Sequence, residues 1–510
     1  MVRQSLSRLR ALGPCVLLLF VGCLTRVVPD GRRSPANPPP APREFRAAWV
    51  ATVANIDWPS RRQEPVEAQQ AEVRDIIAKA RAIGLNALIL QVRPSADALY
   101  ASPLEPWSEF LTGTQGRPPE PFYDPLAFWI EEAHRAGLEL HAWFNPFRVR
   151  ASSARSASAP NHLSRARPDL VRSYGDQLWL DPGEPGAVDH VVAVILDVVH
   201  RYDVDGVHID DYFYPYPVKN DAGQAVDFPD DPSWRAFRES GGTISRADWR
   251  RQNVDRFLER VYREVHREKP YARVGVSPFG LGRPDRRPPG VNGFSQYDEL
   301  YAHAEVWLER GWVDYLMPQL YWKREAAGQP FGTLLDTWRA QNPKGRPVWP
   351  GLFTSRTVAP EPWPAAEIIE QIRLTRSRGG VPGHAHFSMA ALRSNAGGIA
   401  DRLTELYAGP ALVPTAEWLG GSTPPPPSVW LQGAKAGATE VRVAWTGGGD
   451  ARLLALWGRY GEAWRFFTLP AGGGALPARS GGQPLESVRA FSVGPTGLES
   501  PAAAIMDQRK

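Results

Sequence analysis

The stretch VDHVVAVILDVVHRYDVDGVHIDDYFYP, residues 188–215, decides the fold. Its first half, 188–201, spaces apolar residues as an amphipathic helix does. Its second half holds a short β-rich run, GVHID (206–210), that ends in two acids and a set of aromatics. Helix, buried strand and polar loop in that order form one repeat of a βα alternation. The repeat recurs on both sides. Upstream, strands are expected at 45–52, 87–92 and 138–144, with helices at 67–83 and 125–135. Downstream, strands at 273–277, 313–320, 348–353 and 384–387 alternate with helices at 246–267, 297–309, 332–340, 365–377 and 399–407. Eight such units predict an α/β fold, a (β/α)8 TIM barrel over 43–420, rather than an open doubly wound sheet. No GxGxxG follows an early strand, which counts against a dinucleotide fold.

The chain of 510 residues exceeds what one barrel needs. Residues 421–428 (GSTPPPPS) read as a linker. Alternating short strands with Gly-rich turns follow over 429–510 and predict a β-sandwich resembling fibronectin type III. At the other end, Arg3, Arg8 and Arg10 precede the apolar run CVLLLFV (15–21), so 1–22 is expected to be a signal peptide. Phe20-Val21-Gly22-Cys23 is similar to a bacterial lipobox, which makes Cys23 the expected lipidation site. Residues 23–42 then form a lipidated, Pro-rich tether. These features predict export and anchoring in the cell envelope, with the membrane reached through lipid. The net charge of +4 is scattered, without a compact basic stripe, so nucleic acid is not an expected partner.

Barrel enzymes work at the C-terminal ends of their strands. The loops expected there, 93–123, 145–186 and 211–245, are long and polar, whereas the opposite loops are short. Side-chain alternation turns Asp210 to the same side as His208, at the strand end. Asp210 is the first candidate for catalysis; the competing reading is a helix cap or an Arg partner. Asp211 points elsewhere unless the strand has already ended. His208 reads either as a supporting core residue or as a binder. Glycoside cleavage uses two carboxyl groups flanking the bond. Candidates for the second are Asp57, Asp97, Glu105 and Asp211, with burial by Trp58 or Trp107 available to raise an acid's pKa. Arg93, Asn145, Arg148, Gln319, Tyr212 and Tyr321 can hold hydroxyl or acetamido oxygens, and Trp143 and Trp322 can floor a sugar subsite. Gln91 ends the second strand among the same groups. His384 and His386 lack a carboxylate to complete a ligand set, so neither metal nor other cofactor is expected.

The segments EFRAAWVATVANIDWP (44–59), LILQVRPSADALYASPLEPWS (88–108), AWFNPFR (142–148), DGVHIDDYFYP (205–215), GVSPFG (275–280) and YLMPQLYW (315–322) resemble the glycosyl hydrolase-like family 10, also called domain of unknown function 187. The resemblance spans about 43–412 and touches nearly every strand end. It implies a bacterial lipoprotein that hydrolyses glycosidic bonds in cell-wall or other N-acetylated glycan, a polysaccharide partner. DGVHIDDY is also similar to the family 18 chitinase pattern Asp-Gly-x-Asp-x-Asp-x-Glu. Asp205, Gly206 and Asp210 match it. His208 replaces the middle Asp, and Tyr212 stands where the acid Glu would be, so the proton donor has to come from another position. Two other readings stay open: a non-catalytic, lipid-anchored glycan-binding or scaffold protein, which the missing Glu motivates, and a hydrolase of neutral glucans.

Overall fold

The computed structural model describes residues 37–432, 438–503 and 505–507. The expected signal segment, Cys23 and most of the tether lie outside the described residues. Eight parallel strands form one curled sheet: β1 Phe45–Val50, β2 Ala87–Arg93, β3 Glu139–Phe144, β4 Gly206–Ile209, β5 Arg273–Val276, β6 Tyr315–Leu316, β7 Gly351–Leu352 and β8 Gly383–His386. They pair in the order β7-β8-β1-β2-β3-β4-β5-β6. Isolated parallel bridges, Leu316 to Val348 and Gln319 to Gly351, join β6 to β7 and close the curl. Helices α1 Val66–Ile83, α2 Pro125–Arg135, α3 Pro185–Arg201, α4 Arg246–Glu268, α5 Ala304–Arg310, α6 Phe331–Ala340, α7 Ala365–Ser377 and α8 Ile399–Tyr407 alternate with the strands.

Period-two alternation divides the packing into two cores. Phe45, Ala47 and Trp49 of β1 face the interior with Ala87, Ile89, Tyr315 and Trp349. Ala48, Val50, Leu88 and Leu90 face outward under the helices. The interior is filled by alternating large and absent side chains. The Tyr315 ring, for example, occupies the space where a Cβ on Gly275 would come within 1.9 Å of it. Phe45 stacks on Trp349 at 4.1 Å.

Several boundaries differ from expectation. The strand expected over 313–320 shrinks to two residues, and that over 348–353 to two. Pro318, Pro347 and Pro350 stand along this seam and cannot donate to a ladder. The helix expected over 297–309 is broken into Gln296–Glu299 and α5, with Tyr301 in the left-handed region at φ 53 between them. The loop after β3 contains a small antiparallel sheet, Arg148–Arg150, Val171–Tyr174 and Gln177–Leu180. Its strands are too short to show a periodicity in sequence.

The C-terminal strands are β9 Ser428–Gln432, β10 Glu440–Thr446, β11 Leu453–Tyr460, β12 Ala463–Pro470, β13 Gly474–Pro477, β14 Arg479–Ser480, β15 Gln483–Val493 and β16 Ile505–Asp507. They form two sheets, β13-β10-β9-β16 and β12-β11-β15-β14. The pairs are antiparallel except β9 with β16. One core of Val429, Val443, Trp445, Leu454, Leu456 and Val488 lies between the sheets. This sandwich docks on the floor of the barrel, where the strands begin. Arg81 of α1 donates to Thr468, and Arg452 pairs with Asp203 just ahead of β4. A cavity of about 920 Å³ lies between the two bodies.

Candidate active site

The DGVHIDDYFYP segment runs from floor to mouth, and its residues divide accordingly. Asp205 sits at the floor. Its Oδ2 accepts from the amide of Leu140 and from His134 Nε2, both at 2.8 Å. Burial raises its pKa, but His134, Arg452 and the Leu140 amide together outweigh that and hold it at about 2. It is a tie between β4 and the barrel base. His208, one turn of the pleat higher, is fully buried in the interior core. Trp49 Nε1 donates to its Nε2 at 3.1 Å, and Ser277 Oγ and Tyr315 Oη lie within 3.1 Å of its ring nitrogens. Burial keeps it neutral, well below its ordinary pKa. It supports the site from below.

The strand ends at Ile209, so Asp210 and Asp211 both follow it and stand side by side at the mouth. Each is buried to 3% exposure. Asp210 Oδ2 accepts from Trp143 Nε1 at 3.0 Å and from Asn145 Nδ2, both at the end of β3. Its Oδ1 meets the amide of Tyr212 at 3.4 Å. Burial and the neighbouring charge of Asp211 push its pKa up to about 7. Asp211 Oδ2 accepts from the Tyr216 hydroxyl. Burial raises Asp211 too, while hydrogen bonds from Tyr216 and Gln319 pull the other way. Two adjacent carboxyl groups that are both raised titrate as a pair rather than independently.

Half-buried aromatics band the mouth beside this pair. Tyr212 meets Tyr216 at 5.6 Å, Tyr216 stacks on Phe294 at 5.3 Å, and Phe279 lies edge-on to both Phe294 and Trp322. Tyr321 stacks on Phe353 at 4.7 Å, and Arg148 lies over the Tyr212 ring at 4.9 Å. Such faces suit the C–H faces of sugar rings, with amide and hydroxyl groups at their edges.

Residues 44–356, from the start of β1 to beyond β7, match the family described as glycosyl hydrolase-like 10. The chain belongs to that family. Among relatives of the glycosyl hydrolase-like 10 barrel, Glycosyl hydrolase YngK of Bacillus subtilis is 41% identical over 399 residues, 76% of this chain and 76% of that protein. Glycosyl hydrolase DigH of Escherichia coli K12 is 34% identical over 329 residues, 61% of this chain and 73% of that protein. The PgaB (BpsB) glycoside hydrolase domain of Bordetella bronchiseptica superposes with a TM-score of 0.48 at 13% identity, over 72% of this chain and 99% of that one. That last likeness is too loose to bear on the chemistry.

Within the glycosyl hydrolase-like 10 barrel, not every candidate from the sequence reaches the mouth. Glu105 is corrected from acid to structural anion. It takes Arg93 Nε at 2.8 Å, Arg93 Nη2 at 2.6 Å and His190 Nε2 at 2.9 Å. Burial raises its pKa, but these cations dominate and hold it at about 2, so it carries no proton to give. Arg93 is corrected likewise, since its remaining donors go to the carbonyls of Asn145 and Pro146. Trp58 is core, not subsite: fully buried, it donates to Gln69 O and packs edge-on to Trp129. Asp57 accepts from the amides of Ala51 and Ala390 and from Ser388, which ties the loops after β1 and β8 together. Burial raises it to about 6. Asp97 is raised to about 7 by burial but is enclosed, accepting from Ser95 N and Gln115. His384 and His386 both contact the Tyr407 hydroxyl, and no group of three metal-binding side chains occurs among the described residues. Sequence reasoning missed Tyr216. Its only advance signal was an aromatic shortly after two acids on a mouth loop.

Proposed function

We propose that the protein hydrolyses glycosidic bonds in bacterial cell-wall glycan, or a related N-acetylated polysaccharide, with Asp210 and Asp211 as its catalytic pair. The observation that carries this reading is the paired, buried carboxyl groups at the mouth of a glycosyl hydrolase-like 10 barrel, ringed by aromatics and amides. The two side-chain N–H donors to Asp210 converge on Oδ2 and only the long Tyr212 amide contact reaches Oδ1, so Oδ1 is the oxygen assigned the proton. Asp210 then protonates the leaving glycosidic oxygen. Its pKa near 7 matches donation at neutral pH. Asp211 accepts hydrogen bonds from Tyr216 and Gln319, which favour its charged form, and as the carboxylate it steadies the positive charge that develops at the sugar. Water supplies the hydroxyl to the anomeric carbon, and its second proton restores Asp210. The likeness of DGVHIDDY to the chitinase pattern supports an N-acetylated substrate, with half-buried Gln319, Tyr321 and Trp322 lining the approach and Trp143, Asn145 and Arg148 buried beneath it.

The test is Asp210→Asn on glycan strands freed of stem peptides. An amide occupies the same space and accepts the same two N–H groups at one end, but transfers no proton. Release of sugar fragments should fall by about 1000-fold with the fold intact. Unchanged turnover would overturn the assignment. Parallel assays on glucan lacking N-acetyl groups decide the substrate class. We further propose export and lipid anchoring through Cys23, checked by loss of metabolic fatty-acid labelling in Cys23→Ala. The sandwich of β9–β16 reads as a fibronectin type III-like module held on the barrel floor.

A further inference from the structure

The orientation of the Asn145 amide beside Asp210 is set by two donors to its oxygen, Arg148 nearby and Gln91 on β2. Thr52 N at 2.9 Å and Val53 N at 2.8 Å both converge on one side-chain atom of Gln91. Two N–H donors can share only an acceptor, so that atom is Oε1. The other end of the amide is then Nε2, and it faces Asn145. Asn145 must therefore present Oδ1 to Gln91, which Arg148 Nη2 also approaches at 2.8 Å. That leaves Asn145 Nδ2 for Asp210 Oδ2. Thr52, Gln91, Asn145, Arg148 and Asp210 are fully or almost fully buried, so water is not available to relax the amides between them.

We propose that Gln91 is a positioning residue: through Asn145 it holds a side-chain N–H donor on Oδ2 of Asp210 and so favours the transferable proton on Oδ1. Gln91 touches neither carboxyl group and acts only by polarity of its amide. The proposal rests on the reading of Asp210 as proton donor, and its test keeps the two separable. The sense of the chain matters as much as its presence. An acceptor in place of Nε2 would turn Asn145 over and face its oxygen to Asp210 Oδ2. The proton would then be drawn to Oδ2, the oxygen enclosed by Trp143 and Asn145.

Two near-isosteric substitutions read this out. Gln91→Met removes the donor to Asn145 together with the acceptor of the Thr52 and Val53 amides, and adds no charge. Its kcat plateau should fall about tenfold with KM within about twofold. Gln91→Glu has two states. As the neutral acid it donates to Asn145 as glutamine does, and as the carboxylate it reverses the chain. Its kcat at acid pH should return to within about threefold of wild type, then drop through a new ionisation below the wild-type alkaline limb. A merely structural role gives no acid recovery. A second readout needs no substrate: 13C-aspartate NMR, with the Asp210 resonance identified by its loss in Asp210→Asn. Asp210 should titrate higher in Gln91→Met than in wild type, because a donor to its charged form is no longer held in place. If that titration is unmoved, or Gln91→Glu shows no acid recovery over Gln91→Met, the inference fails. If the titration moves while Asp210→Asn keeps full activity, the positioning stands and the assignment of Asp210 falls. Should Gln91→Glu not fold, the titration and kcat of Gln91→Met decide alone.

Discussion

Replacing Glu105 by Gln separates a structural anion from a catalytic one. Glu105 and Arg93 are 1% and 0% exposed at the side chain, and His190 adds a third partner. Glutamine keeps the volume and part of the hydrogen bonding but leaves the Arg93 cation without its counter-charge. Breaking a buried pair in this way costs about 3–5 kcal/mol. The fall of the Glu105 pKa from 4.5 to about 2 is worth about 3 kcal/mol, of the same order. A barrel of this size unfolds with an entropy of about 0.8 kcal/mol per kelvin, so Tm should drop by about 4–6 °C. The sign of the pH dependence follows from the downward shift. The contribution of Glu105 is present above pH 4.5 and is lost as pH falls toward 2. The variant should therefore lose less stability than wild type across that window. Calorimetry over pH gives both quantities. Turnover per folded molecule, measured well below Tm, should stay within about threefold of wild type. A loss of about 1000-fold with Tm unchanged would refute this account and restore Glu105 as a catalytic acid.

Asp210→Asn should raise Tm above pH 7. A carboxyl whose folded pKa is raised from 3.8 to about 7 favours the folded state at low pH and ceases to do so as pH climbs through 7, and the amide carries no such burden; a lower Tm at pH 8 would contradict the burial argument. Wild-type kcat should fall on the alkaline side with an apparent pKa near 7, and a flat profile to pH 9 would remove Asp210 as donor. Tyr216→Phe removes the hydroxyl that orients Asp211 and should cut kcat about tenfold while leaving the circular dichroism unchanged. Gly275→Ala places a methyl within 1.9 Å of the Tyr315 ring and should destabilise by about 3 kcal/mol or more, visible as a lower denaturation midpoint.

Much of the barrel was legible because its strands and helices carry different hydrophobic periods. The seam of β6 and β7 was the weak point, where Pro318, Pro347 and Pro350 preserve apolar character while removing ladder donors. The site was legible by position only. Asp210 and Asp211 follow from where a barrel keeps its reacting groups, and Asn145 and Trp143 from the end of the preceding strand. Glu105 and Arg93 looked like site residues because a charged side chain on a mouth loop does not announce its partner. Their partners, His190 on α3 and the carbonyls after β3, come from separate parts of the chain. Tyr216 became visible only when its loop folded back over the acids.

The sandwich grips the barrel by its inert end. Arg452, Thr468 and Glu499 reach Asp203, Arg81 and Arg43, all near strand beginnings. The described chain also enters there, through Pro38 to Arg43, before β1 rises toward the mouth. Anything joined at that end pulls on the base plate, not on the lips. The mouth that carries Asp210 and Asp211 is thus left clear of both the sandwich and the incoming chain.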